Sequence, residues 1–473
     1  MSTATEKLPV TERIFYGFGD LASCLFWQTL TLYLLFFYTD VFGLAAVAAG
    51  IMIGVSRFLD ALFDVVIGMA ADRTKTRWGK FRPFIMTGAV PLAISAVLAF
   101  STPSFGGAAK IVYAYVTFIL FMFLYSFVNI PYTALLGVIS GDPIERTSAS
   151  SFKFVGAFAG GMIVSATALP LAKYFGQNGA AAGWRTTLMI YAAAAVVLLF
   201  ITFASTHERI QPIAKEKTPL KDDLKDLAKN VPWIVLFVGT ILFILFVCIR
   251  LSVTAHYFKY YIGEQEFTFF GRTYKYGFEV LASAFNTVGQ ALSLIGVFAV
   301  PWFAKLAGRK RALIILLIGA LICTGAFFFL KPNNVVLILV FQGIGSIVGG
   351  PISALLWVLY ADTADYSEWK TGRRATGLVF SASIMSNKLG WTIGSVIAAV
   401  ILAQTGFVAN VPQSMGVQNG LVAMMSVIPV AAGVVTLAIL VLFYKLDEKT
   451  MDKVKAELDE RRKAAEAEPA LAT

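Results

Sequence analysis

About 20 consecutive apolar residues are enough to cross a bilayer as a helix, and this chain carries twelve such stretches. They fall at 15–38, 46–70, 84–101, 111–136, 151–170, 185–205, 233–256, 279–304, 312–330, 335–359, 376–405 and 420–444. In lipid every backbone amide must find its partner inside the segment, so each stretch is predicted to be helical. An all-α membrane protein with twelve transmembrane helices follows. Charged residues make up only 14% of the 473, against about 25% in soluble domains. A net charge of +11 would suggest nucleic acid for a soluble protein. Here Lys and Arg instead crowd the loops on the side of the N-terminus, the positive-inside pattern. The expected partner is the lipid bilayer and not nucleic acid. The expected location is the cell (inner) membrane, multi-pass, with both termini cytoplasmic. The first fourteen residues are polar and mixed in charge, so the first apolar stretch is expected to stay as a helix. Cys24, Cys248 and Cys323 all lie in apolar stretches, which gives neither a disulfide framework nor a metal spacing.

The longest internal polar run, Thr206 to Pro232, separates stretches six and seven. The two halves repeat. Pro131 to Asp142 reads P-Y-T-A-L-L-G-V-I-S-G-D, and Pro351 to Asp362, six stretches later, reads P-I-S-A-L-L-W-V-L-Y-A-D. An even number of crossings returns the chain to the same side, so the repeat is parallel, about an axis along the membrane normal. Basic loops echo it: Arg73, Lys75, Arg77, Lys80 and Arg82 follow the second stretch, and Lys305, Arg309, Lys310 and Arg311 follow the eighth. The expected domains are an N-terminal six-helix bundle at 1–205, a cytoplasmic linker at 206–232, a C-terminal six-helix bundle at 233–444 and a cytoplasmic tail at 445–473. The tail, rich in Lys, Glu and Ala, reads as a short surface helix that frays into disorder. The two pseudo-symmetric bundles are expected to enclose a cavity and rock about a midplane site.

Charges inside the apolar stretches narrow the function. In S-R-F-L-D-A-L-F-D of the second stretch, Arg57, Asp60 and Asp64 share one helical face. A charge at that depth costs roughly 2.5–3.5 kcal/mol on the insertion scale, so it faces a partner or a wet cavity. Two readings are open: a structural Arg–Asp pair, or a cation or proton site inside a transporter. Ser126 or Asn129 of the fourth stretch is placed to assist, whereas Phe63 offers no oxygen. Lys388, in S-N-K-L-G-W-T-I-G of the eleventh stretch, is expected to reach Asp60 or Asp64, either as a fixed ion pair or as a switch competing with the cation. Lys153 in the fifth stretch either serves similarly or snorkels to the cytoplasmic surface. Arg250 in the seventh either points into the cavity or pairs with Asp20.

Asp20 in Y-G-F-G-D, Asn129 and the ring of Trp27 are what a sugar site needs, since carboxylates and amides bind paired hydroxyls and a ring covers the apolar sugar face. Tyr33 and Tyr38 read as interfacial belt residues, and His256 as an outer-surface residue. On the cytoplasmic side, the loop carrying Asp72, Arg73, Arg77 and Arg82 is expected to meet helix ends and Glu145 across the seam. Asp362, Asp365, Glu368 and Arg373 form the matching cluster. G-I-G-S-I-V-G-G, Gly343 to Gly350, lacks the G-K-[ST] of a phosphate loop and reads as close helix packing. No nucleophile triad, metal spacing or nucleotide motif is present, so the expectation is no enzyme activity, no cofactor and gradient-driven transport.

Five motifs resemble the glycoside–pentoside–hexuronide:cation symporters, the melibiose permease branch of the major facilitator superfamily. They are Y-G-F-G-D at Tyr16, Y-T-D-V-F-G at Tyr38, R-F-L-D-A-L-F-D through R-W-G-K-F-R-P at Arg57 to Pro83, A-D-T-A-D-Y-S-E-W-K-T-G-R-R at Ala361 and S-N-K-L-G at Ser386. The resemblance implies the major facilitator fold, with Asp60 and Asp64 as the paired carboxylates that bind the coupling cation. It places Lys388 beside that site, Ser126 as a helper hydroxyl, and Lys153 where many members have a sugar-contacting arginine. Three departures bear on substrate. Cys24 and Asn129 stand where melibiose-type members have aspartates, and Thr133 where they have a tryptophan. Phe63 stands where sodium users have an asparagine, which favours a proton over sodium. The substrate contacts expected are Asp20, Cys24, Trp27, Asn129, Thr133, Lys153, Arg250 and Trp391. The function expected is symport of a pentoside, glucoside or hexuronide with a proton or sodium ion, by a monomer. The alternative is a cation-coupled transporter of a lysolipid or a sulfonated compound.

Overall fold

The computed structural model describes residues 7–140, 142–209, 227, 229–269, 272–371 and 376–471. Among the described residues, twelve helices are long and apolar enough to cross a membrane. In the first half they are α1 (Val10–Phe36), α2 (Ala46–Arg73), α3 (Arg82–Ala99), α4 (Gly107–Leu135), α5 (Pro143–Tyr174) and α6 (Ala180–Ser205). In the second they are α7 (Val231–Tyr257), α8 (Phe278–Phe298), α9 (Arg309–Ala326), α10 (Val335–Thr371), α11 (Thr376–Gln404) and α12, in two pieces, Met415–Met425 and Val427–Phe443. Side-chain caps fix several starts. Asp142 Oδ1 accepts from Ile144 N at 2.8 Å ahead of α5, and Asn230 Oδ1 accepts from Trp233 N at 3.2 Å ahead of α7.

The packing repeats with a period of six helices. In the first bundle α1 packs on α5 and α6, α2 on α4, and α3 on α4 and α6. In the second, α7 packs on α11 and α12, α8 on α10, and α9 on α10 and α12. The bundles meet through α1 on α7, α2 on α11 and α5 on α8, which is the same symmetry again. Both α1 and α7 end in a five-residue π turn, Phe37–Val41 and Phe258–Ile262, a wider coil that often marks functional sites. Gly156 lets α5 lie against α1, since a Cβ there would clash with the Gly17 carbonyl.

Each helix sorts its faces. On α2 the exposed stripe is Phe58, Leu62, Val65, Val66 and Met69, spaced to make one lipid-facing side. Arg57 and Asp60 on the other side are buried.

Hydropathy marks the length of helix in lipid, not the length of helix. α10 therefore runs past 359 to Thr371, and α5 starts at Pro143 rather than 151. A hairpin, β1 (Gln265–Phe269) and β2 (Arg272–Tyr276), joins α7 to α8. Most of the linker expected at 206–232 lies outside the described residues. The tail is helical as expected, but longer and with a buried face. It forms α13 (Glu448–Leu471), and Met451, Val454 and Leu458 are buried. Trp369 Nε1 donates to Glu457 at 2.6 Å and Arg461 to the Trp369 carbonyl at 3.0 Å, docking the tail on the extension of α10.

Candidate functional site

Asp60 and Asp64 on α2 turn toward α4 and α11. Ser126 Oγ on α4 lies 2.6 Å from Asp60 Oδ1 and 2.8 Å from Asp64 Oδ1. The other carboxylate oxygens face Lys388 on α11, whose Nζ donates to Asp60 Oδ2 at 2.9 Å and also to Asp64 Oδ2. Asp60 is 5% exposed, and Asp64 and Lys388 are half-buried. One ammonium and one hydroxyl thus clasp two carboxylates at the seam between the bundles. Three donors on the ammonium suffice for both acids.

The structural Arg57–Asp60 pair is not formed, because Lys388 and Ser126 occupy Asp60. The Arg57 guanidinium lies between two indoles, 5.6 Å from the Trp27 ring centre and 5.9 Å from that of Trp391. Trp27 in turn stacks on Tyr125. A small cleft with room for about one water adjoins it, with Thr31, Cys248, Ser252, Trp391 and Ser395 in its lining.

Asn129 does not join the carboxylates. Its amide reaches α1 instead and donates to Ser23 Oγ at 3.1 Å. This puts it near the polar group formed by Asp20 on α1, Thr133 on α4 and Lys153 on α5. Lys153 Nζ donates to Thr133 Oγ1 at 3.4 Å, lies 5.4 Å from the Tyr132 ring centre and is the cation that Asp20 faces. Half-buried Cys24 sits beside them against Gly160. Arg250 is not paired with Asp20. It donates to Thr324 Oγ1 at 3.3 Å and Gln342 Oε1 at 3.0 Å and stacks on Phe327, all within the second bundle.

The outer ends carry a cluster that the sequence reading missed. Asp40, on the π turn of α1, accepts from Thr39 at 2.7 Å, from Lys259 at 2.8 Å and from the Tyr260 hydroxyl. His256 Nε2 lies 2.9 Å from Thr39 Oγ1 and 3.3 Å from Asp40 Oδ2. Asn410, before α12, donates to the Asp40 carbonyl at 2.8 Å. His256 is therefore at the outer end but fully buried, not on the surface. Tyr33 and Tyr38 are buried too. Tyr38 donates to the Ala99 carbonyl at 3.1 Å, so neither is a belt residue. Lys173 pairs with Glu279 at 3.0 Å, again joining the bundles near their outer ends. The Asp of Y-T-D-V-F-G, just past the end of the first apolar stretch, was the available signal for this cluster.

At the cytoplasmic ends, Glu145 and Arg309 each pair within their own bundle. Glu145 takes Arg13 at 2.7 Å and the Leu8 amide at 3.2 Å, not the loop after α2. That loop is held by Glu208, which accepts from the backbone amides of Lys80, Phe81 and Arg82 at 2.7, 2.7 and 3.0 Å, a carboxylate on the start of α3. Arg82 donates to the Phe203 carbonyl at 2.8 Å, and Arg77 stacks on Trp78. Arg309 pairs with Asp362 at 2.6 Å. Arg73 is in the last turn of α2, and Asp365 and Glu368 lie on the extension of α10. The Asp72 side chain and Arg373 lie outside the described residues.

The family model described as MFS/sugar transport protein matches residues 15–448. The chain belongs to that family. This MFS sugar transport protein is 36% identical over 461 residues to the isoprimeverose transporter of Lactiplantibacillus pentosus, covering 96% of this chain and 92% of that one. It is 34% identical to the inner membrane symporter YicJ of Escherichia coli (strain K12), covering 96% of each. The crystal structure of the nucleoside transporter NupG has the same fold, with a TM-score of 0.64 at 13% identity over 93% of this chain and 100% of that one. The MFS sugar transport protein is thus a multi-pass membrane transporter.

Proposed function

We propose that the chain imports a sugar or glycoside together with a proton, by alternating access, with Asp60 and Asp64 as the carboxylates that load the ion. The observation that carries the proton reading is a count of hydrogens. Ser126 Oγ has two short oxygen contacts, to Asp60 and to Asp64, but its hydroxyl has one hydrogen to donate. The second contact is attractive when one of the two acids is itself protonated and donates back. Phe63 beside them offers no oxygen to complete a sodium shell.

The carboxylates face Lys388 of the other bundle, so an arriving cation competes with the lysine and loosens the seam. The solute side is formed by Asp20, Asn129, Thr133 and Lys153 on α1, α4 and α5, one bundle's share of a cavity closed by the other. The name of the isoprimeverose transporter supports isoprimeverose as the first solute to test. The α1–α7 and α5–α8 outer contacts support a conformation closed to the outside. One chain carries the whole site, which supports a monomer as the working unit.

The test is uptake of isoprimeverose and a panel of glucosides and glucuronides into proteoliposomes. Accumulation driven by an imposed pH gradient without sodium is expected. Accumulation only with a sodium gradient would overturn the proton reading, and no uptake of any member would overturn the sugar reading.

A further inference from the structure

Arg57 is a buried charge left over by the coupling site. Its residue is 8% exposed, and Nη1 is buried with no hydrogen-bond partner among the described residues. Asp60, three residues along the same face, is already held by Lys388 and Ser126. A guanidinium carries five donors in a fixed plane and does not give up its charge. Burying one of those donors unpaired costs on the scale of a lost charged hydrogen bond. The two indoles fix the guanidinium plane by cation–π contact, but a ring face accepts no conventional hydrogen bond in that plane. The side chain is therefore aimed and held without being satisfied. It borders the cleft between α1 and α2 of one bundle and α7 and α11 of the other, where Thr31, Ser252 and Ser395 supply hydroxyls.

We propose that Arg57 is a solute-contacting, specificity-determining residue, donating to oxygen acceptors of the transported solute at the seam between the bundles. Trp27 and Trp391 are positioning residues that hold it. The chemistry required of the solute is a pair of neighbouring oxygens, spaced for two parallel N–H donors. Vicinal hydroxyls of a neutral glycoside and the carboxylate of a glycuronide both meet it. This places a solute contact one helix turn outward of the ion site and on the same helix, so solute and ion load on adjoining turns of α2. The inference rests on the transport reading.

The test uses the full-length protein in detergent and in vesicles. Binding of isoprimeverose and of a phenyl glucuronide is measured for the parent, Arg57→Gln and Arg57→Lys, beside the effect of pH on thermal unfolding, which reads the Asp60–Asp64 pair. Arg57→Gln is expected to weaken solute binding at least tenfold while unfolding stays pH-dependent, because Lys388 and Ser126 still hold Asp60, and Arg57→Lys recovers part of the neutral-sugar binding. A larger loss for the glucuronide identifies a carboxylate as the preferred acceptor, and equal losses identify hydroxyls. Arg57→Cys is expected to react with a small maleimide and to be protected by the solute. Affinity of Arg57→Gln within twofold of the parent, or no labelling of Arg57→Cys in folded protein, would overturn the proposal. A parent that binds no sugar rejects the transport reading instead, and labelling of Arg57→Cys still decides whether this position faces a passage.

Discussion

Lys388 Nζ donates to Asp60 Oδ2 at 2.9 Å, between residues 328 positions apart and in different bundles. Under the proposed mechanism the same contact is an ion-site partner and a latch across the seam. A cation that binds the acids must weaken the latch, and this joins ion loading to bundle movement.

Lys388→Met therefore removes the ammonium that the structure places on the two acids. Leaving one member of a buried ion pair unpaired costs about 3 kcal/mol, the lower end of the range because this pair is partly open to solvent. A lower unfolding temperature in detergent is expected. Adding Asp64→Asn to Lys388→Met is expected to restore part of the loss, since contacting residues are not additive. Additive losses would place the lysine's role elsewhere.

Ser126→Ala takes away the hydroxyl shared by both acids. A hydrogen bond to a charged group contributes about 1.5–3 kcal/mol, so ion affinity should fall on the order of 10- to 100-fold. The ion dependence of solute binding measures this, and Ser126→Thr is expected to retain most of the affinity.

The outer closure hangs on Asp40. Asp40→Asn weakens acceptance from Lys259 and Tyr260 and removes the charge facing His256. The outer ends of α1 and α7 are then expected to separate. Spin labels at Ala45 and Glu264, one on each bundle, should show a longer distance in the variant than in the parent.

Gly54 tests the α2–α11 surface independently. A Cβ there would stand 2.8 Å from Val396 Cγ2, so Gly54→Val wedges the seam. Uptake is expected to fall severalfold, with the same label pair reporting wider outer ends.

Much of this architecture was legible, because lipid imposes a simple rule. Twelve apolar stretches became twelve spans, and acids and a lysine at lipid depth found one another because water was not there to hold them. The rest depended on choices between partners. Arg57 sits three residues from Asp60, and that spacing argued for a pair, but tertiary donors from α4 and α11 took the acid. His256 read as an outer-surface residue, and Asp40 stood only as one letter of Y-T-D-V-F-G. Only the meeting of two π turns from different bundles makes them a buried cluster. Glu208 escaped notice because its partners are backbone amides, which leave no residue pattern. The polar end of α10 is helical without being apolar, so hydropathy stopped short of it.

The most direct measurement is proton movement driven by solute in proteoliposomes, compared between the parent and Asp64→Asn. The account expects an inward sugar gradient to carry protons with it in the parent. It expects Asp64→Asn to exchange sugar across the membrane without proton movement and without accumulation. Undiminished accumulation with full proton movement in Asp64→Asn would contradict it.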